Sequence, residues 1–353
     1  MSRHPRGLQL CARLLRTSSH TTPSPALTLL ASHAGHSATI DGAYQTRLYA
    51  APRAPRPVPR PAPKQTPTFA EAYTLDGITQ EKFEAAINMT GFWKALPAEE
   101  YFAIAKRFEA AVKNGGNPYA VKLTGATDKP VSATALYDVG CILFHVAGAS
   151  ARTLAYTSAM WASASDMGSR LATICIARQI VRSGAWGKKP NLRPAENSFR
   201  KLVAEGRDPN ALTVQAELLW MAGNYTEAAK AAKKALDVGK GDFEWEPECR
   251  LCLAKAYVKL KRDAEAKELL DSLSEMSFAE AHEYLGYLLL SSDTDKAEQH
   301  FFHAGYYGRP GMYQQLSEIA VTNGSKAASE EERKEYSRWA MEWAHLANPK
   351  AAF

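Results

Sequence analysis

Few side chains in this 353-residue chain have the types and spacing that chemistry uses. Cys249 and Cys252 form a Cys-x-x-Cys pair, the spacing of half a zinc site or of a dithiol redox centre. His300 and His303 stand three apart with Glu298 nearby, which puts two imidazoles on one face of a helix. His282 lies beside Glu283. None of these closes into a site. A structural zinc takes four ligands, and the remaining cysteines, Cys11, Cys141 and Cys175, are isolated. A thioredoxin-like dithiol follows a strand, whereas this pair lies inside a helical pattern, so both thiols are expected to be small packing residues. The histidine pair lacks a third convergent ligand; it is expected to pack or to face solvent, and His282 to line a groove. No Gly-x-Gly-x-x-Gly or Walker loop occurs, and no Ser/His/Asp set stands out. The expectation is a chain that is not an enzyme, with no cofactor and no metal.

Charge is distributed unevenly. Residues 1–64 hold nine basic residues (Arg3, Arg6, Arg13, Arg16, Arg47, Arg53, Arg56, Arg60, Lys64) and one acid, Asp41. They are rich in Ser, Thr, Ala and Leu. On a helical projection the first four arginines fall within about 140°, with Leu8, Cys11 and Leu15 toward the other side. This is the composition of a mitochondrial targeting peptide, expected over 1–49. Arg47-Leu48-Tyr49-Ala50 fits the matrix processing pattern of Arg, any residue, an aromatic and a small residue, with cleavage after Leu48 or Tyr49. Of the 43 basic and 37 acidic residues in the chain, 34 and 36 remain beyond residue 64. The sequence pI of about 8.9 therefore belongs to the first segment. A near-neutral body argues against direct nucleic-acid binding, which needs a net basic face. No apolar run reaches the eighteen or so residues of a membrane span, and Val139–Ala151, which contains His145, reads as a buried helix.

Ala50–Pro67 has proline at nearly every second or third position, so an extended tether is expected over 50–68. From there the periodicity is helical and strand signals are nearly absent, giving an all-α expectation. Helices are expected over 78–89, 98–112, 133–146, 154–165 and 168–181, in an N-terminal helical region spanning 69–190. After Leu192 a repeat is legible and is expected to run over 191–353. Helix pairs turn at Asn224–Ala228, Arg262–Ala266 and Asp293–Ala297, and the marker alanines Ala228, Ala266 and Ala297 lie 38 and 31 residues apart. A period in the thirties with paired helices predicts an α-solenoid of antiparallel pairs. At the end, helices are expected over 312–321 and 330–347, the second carrying Trp339 and Trp343 four apart to pack a closing cap.

These units resemble the tetratricopeptide-repeat and Sel1-like families. The first carries Ala216, Leu219, Gly223, Ala228, Ala232 and Ala235; the second Leu253, Ala254, Tyr257, Ala266, Leu270 and Leu273. The third looks Sel1-like at Leu285-Gly286, Lys296-Ala297, Ala304 and Gly305, and the glycine-rich Gly305–Gly311 resembles that family's turn. The resemblance implies a partner-binding groove lined by the first helix of each pair. By position that groove takes Thr213, Glu217 and Trp220 from one helix, Leu251, Lys255 and Val258 from the next, and Glu280, Glu283 and Tyr287 from the third. Trp220 could anchor a partner or plug the core between repeats. In leader, length and repeats the chain is similar to the fungal matrix tetratricopeptide factor for export of cytochrome c oxidase subunit 2. The expected role is a mitochondrial matrix adaptor, peripheral to the inner membrane, that binds a subunit or insertion factor during respiratory-complex assembly. The alternatives are a mitoribosome-associated gene-expression factor and a structural subunit of a large mitochondrial complex.

Overall fold

The computed structural model describes residues 68–123, 130–146 and 150–348. The expected targeting segment, its processing motif and all but the last residue of the expected tether lie outside them. Among the described residues there are fifteen α-helices and no strand. The chain is an all-α solenoid.

The N-terminal half holds α1 (Phe69–Ala72), α2 (Gln80–Thr90), α3 (Ala98–Lys113), α4 (Ala133–His145), α5 (Ala151–Asp166) and α6 (Arg170–Arg182). A 3-10 turn at Pro190–Leu192 leads into α7 (Arg193–Glu205). Four pairs follow: α8 (Pro209–Met221) with α9 (Tyr225–Gly239), α10 (Glu246–Lys259) with α11 (Asp263–Glu275), α12 (Ala279–Leu289) with α13 (Thr294–Tyr306), and α14 (Met312–Lys326) with α15 (Glu330–Ala347). The helix starts are encoded locally. Ser132, Ser150, Ser169, Asp208, Asp293 and Ser329 each accept a bond from the amide three residues on. Each such cap contributes about 1 kcal/mol.

Packing follows the small residues. Ala228, Ala266 and Ala297 are fully buried. A Cβ on Gly286 would stand 2.5 Å from the Phe301 ring, and one on Gly305 would stand 2.7 Å from Tyr313. Glycine at these two places lets α12 approach α13, and α13 approach α14, to ring contact. Helices α6, α8, α10 and α12 each touch the next, forming one row of first helices. The largest core fills the N-terminal half and reaches Val214 and Trp245, and three smaller ones continue along the repeats. At the entry to the fold the buried Glu109 accepts the Leu75 amide at 3.1 Å and pairs with Lys106 and Lys113, pinning residues 74–76 to α3.

Besides the four-residue α1, which was not anticipated, two elements depart from the sequence expectation. Helix α7 was not anticipated, because its apolar stripe is narrow: only Ala195 and Phe199 are buried hydrophobics in a charged segment. Helix α14 runs five residues past Val321 through Thr-Asn-Gly-Ser-Lys, the first four of them weak helix formers that tertiary contact retains: a Cβ on Gly324 would stand 3.1 Å from Tyr336. The 139–151 stretch falls in and after α4, whose Val139, Cys141, Ile142 and Leu143 are buried.

Candidate partner-binding face

The row α6, α8, α10 and α12 carries a ladder of charges and rings that crosses from helix to helix. It begins at Arg178 on α6, a fully buried guanidinium. Its Nε and Nη2 donate to the Glu217 carboxylate of α8 at 3.2 and 2.9 Å. Its Nη1 is 3.9 Å from Glu248, and the plane lies 4.2 Å from the Trp245 ring centre. Arg182, one turn on, donates to Glu217 at 3.1 Å. Burial alone would raise the Glu217 pKa, but Arg178 and Arg182 overcome it and hold the carboxyl at about 2.

The next rung is Lys255 on α10. Its ammonium sits 4.3 Å from the Trp220 ring centre and 5.8 Å from that of Tyr284, and donates to Glu280 of α12 at 2.7 Å. Burial works against the charge of Lys255, and Glu280 more than offsets it, so the ammonium stays charged. The ladder ends with Glu283, which pairs with Arg309 from the turn after α13. Burial raises the Glu283 carboxyl despite that arginine. Tyr287 lies one turn beyond, nearly half exposed, edge-on to Phe301 at 5.1 Å.

Seven of the nine residues expected in the groove are at least partly exposed: Glu217, Trp220, Lys255, Val258, Glu280, Glu283 and Tyr287. Two need correction. Thr213 is fully buried and its hydroxyl donates to the Pro209 carbonyl at 2.8 Å, while Leu251 belongs to the core beneath the face. Both were placed by their position in the first helix of a pair, and helix rotation turns them inward. Trp220 is half-buried against the α8–α11 core, with its ring under Lys255. Sequence spacing missed Arg178, Arg182, Tyr284 and Arg309. The one local signal was Arg178/Arg182 at i,i+4 on a helix whose middle is mostly apolar.

The other candidates resolve differently. Cys249 and Cys252 are buried in α10, and the Cys249 thiol donates to the Ala232 carbonyl at 3.3 Å. Burial pushes the Cys249 thiol up to about 12. His282 does not line the groove. It is buried between α12 and α13, with Nδ1 3.0 Å from Nδ1 of His300 and its ring 5.1 Å from that of His303. Among the described residues no group of three or more His, Cys, Asp and Glu is arranged to hold a metal ion, and no helix is long and apolar enough to cross a membrane.

A family model described as anaphase-promoting complex, cyclosome, subunit 3 matches residues 188–273, the span from the 3-10 turn through most of α11. Among solved structures, a Sel1 repeat protein from Oxalobacter formigenes is 15% identical with a TM-score of 0.46, covering 77% of this chain and 98% of its own. Two structures of MamA are 18% and 20% identical with TM-scores of 0.36 and 0.37; they cover 48% and 51% of this chain, and 95% and 97% of their own. No curated protein shows a significant match. The paired helices make the described chain a helical-repeat structure, and the family-model match falls on the part of it from residue 188 to 273.

Proposed function

We propose that this chain is a non-enzymatic adaptor of the mitochondrial matrix, peripheral to the inner membrane. It holds a partner polypeptide against the α6–α8–α10–α12 face during biogenesis of a respiratory complex, with cytochrome c oxidase as the candidate. The observation that carries the binding role is Lys255, clamped between Trp220 and Tyr284 and tied to Glu280 on the neighbouring helix. Such cross-helix ties hold long side chains in place before a partner arrives, which lowers the entropy cost of ordering them on binding. Half-buried rings beside fixed charges of both signs suit a peptide or helix carrying apolar and polar groups in register. The matrix assignment rests on the acid-poor N-terminal composition and the Arg47–Ala50 motif.

The test is affinity purification from mitochondria in mild detergent, with and without RNase, using the native chain and a Trp220→Ala/Tyr287→Ala variant. Oxidase subunits and insertion machinery, retained through RNase and depleted in the variant, support the reading and identify the client. Ribosomal proteins lost on RNase treatment replace it with a gene-expression role. Stoichiometric recovery with one large complex replaces it with a structural-subunit role.

A further inference from the structure

The C-terminal end of the solenoid presents a second surface, independent of the α6–α12 face. On α13, Phe302 and Tyr306 are 41% and 70% exposed; on α15, Trp339 and Leu346 are 50% and 44% exposed. Their rings are continuous across the two helices. Phe302 lies along Tyr306 at 6.4 Å and meets Trp343 edge-on at 6.0 Å. Trp343 stacks on Tyr313 at 5.7 Å and on Trp339 at 5.6 Å. The cap expected of the two tryptophans is thus half built: Trp343 closes on α14 while Trp339 stands in water. A contiguous exposed aromatic patch on a helical-repeat surface marks an interaction site.

The rim of this patch is acidic. At 100° per residue, Glu335, Trp339, Glu342, Trp343 and Leu346 share an arc of about 100° on α15. Asp295, Glu298, Phe302 and Tyr306 share one of about 80° on α13. Neither arc contains a Lys or Arg. The lysines of these helices pair elsewhere, Lys334 with Glu330 and Lys296 with Asp293, and Arg338 flanks the α15 arc on the Glu342 side. Burial, and then the nearby Asp295, raise the Glu298 carboxyl.

We propose that this end docks a positively charged amphipathic helix of a partner polypeptide, with leucine or aromatic residues at i, i+3, i+4 and i+7 laid on the rings and Lys or Arg reaching Asp295, Glu298, Glu335 and Glu342. Charge selects this occupant. An anionic lipid surface would be repelled by the four carboxylates. A second copy related by a two-fold axis would set like-charged rims against each other.

The probe is an N-acetylated, C-amidated 18-residue helix of leucine and lysine with that spacing, fluorescein-labelled, titrated with the full chain and read by anisotropy. Its control has glutamate in place of every lysine. The expected result is saturable binding of the lysine helix only, weakened about tenfold or more by Trp339→Ala and unchanged by Tyr287→Ala on the other face. Glu335→Lys/Glu342→Lys, a surface change that leaves the circular dichroism intact, is expected to lose the lysine helix and to gain the glutamate one. Equal binding of both helices, or no effect of the charge reversal, overturns the proposal. So does a concentration-dependent dimer in sedimentation that Trp339→Ala abolishes, which would assign the patch to a second copy. If the probe binds only after Arg3, Arg6, Arg13 and Arg16 are changed to glutamine, the occupant is this chain's own N-terminal segment and the assignment to a partner falls.

Discussion

Arg178 shows how much one residue carries. Its guanidinium has no exposed surface, and it neutralises Glu217 and lies near Glu248 in the same interior. Removing one partner of such a set leaves the other charges buried without compensation, so Arg178→Met is expected to lower unfolding stability at pH 7 by about 3–5 kcal/mol in urea titrations. The Glu217 carboxyl is held at about 2, below the ordinary carboxylate value. Its contribution is therefore complete above about pH 4.5 and is lost as pH falls toward 2. The stability gap between the native chain and Glu217→Gln is expected to shrink from pH 5 to pH 3 and to vanish near 2. His282 acts in a higher window. Burial, and then His300 and His303, hold it at about 4, so the fold requires its neutral form. Stability from this group is full above about pH 6.5 and is lost as pH falls toward 4. His282→Gln is expected to flatten part of the acid slope between those values. Glu217 was legible in the sequence and Arg178 was not, because they stand 39 residues apart and no local pattern links them.

At the scale of the helix, glycine and alanine decide how closely neighbours approach. Gly286→Val puts branched carbon where the Phe301 ring lies, and is expected to cost about 1–3 kcal/mol, seen as a lower melting temperature. Phe301→Leu in the same chain should recover part of that loss, since it withdraws the ring; no recovery would mean that the clash lies elsewhere. Helix existence was readable where local signals mark a start, as at the Pro97 entry of α3, the Asp208 cap of α8 and the Ser329 cap of α15. Glu330–Ala347 appears with the bounds the sequence expects, behind a Ser329 cap. Helix α7 was missed because its pattern is amphipathic but thin, and the end of α14 because packing on Tyr336 overrides poor local propensity.

For the whole molecule, separate cores strung along a solenoid imply separable unfolding. The N-terminal core takes in Trp161, Tyr137, Tyr156 and Phe108, whereas the last one has four buried residues, Ala297, Phe301, Leu316 and Ile319. Amide exchange is expected to be slowest in α4–α6 and fastest in α14–α15, and heat unfolding to depart from a single two-state transition. Uniform protection along the chain would contradict this nearest-neighbour picture. The sequence by itself determined the all-α class, the paired-helix repeat and the positions of its close contacts, because caps, apolar period and small residues act within one or two turns of chain. Only the tertiary structure decided which charges meet across α6, α8, α10 and α12, and that Thr213 and Leu251 turn inward. It also decided that Phe302, Tyr306, Trp339 and Trp343 merge into one acidic-rimmed patch. Those outcomes depend on the rotation of each helix against its neighbours, a geometry that residue spacing within one helix does not contain.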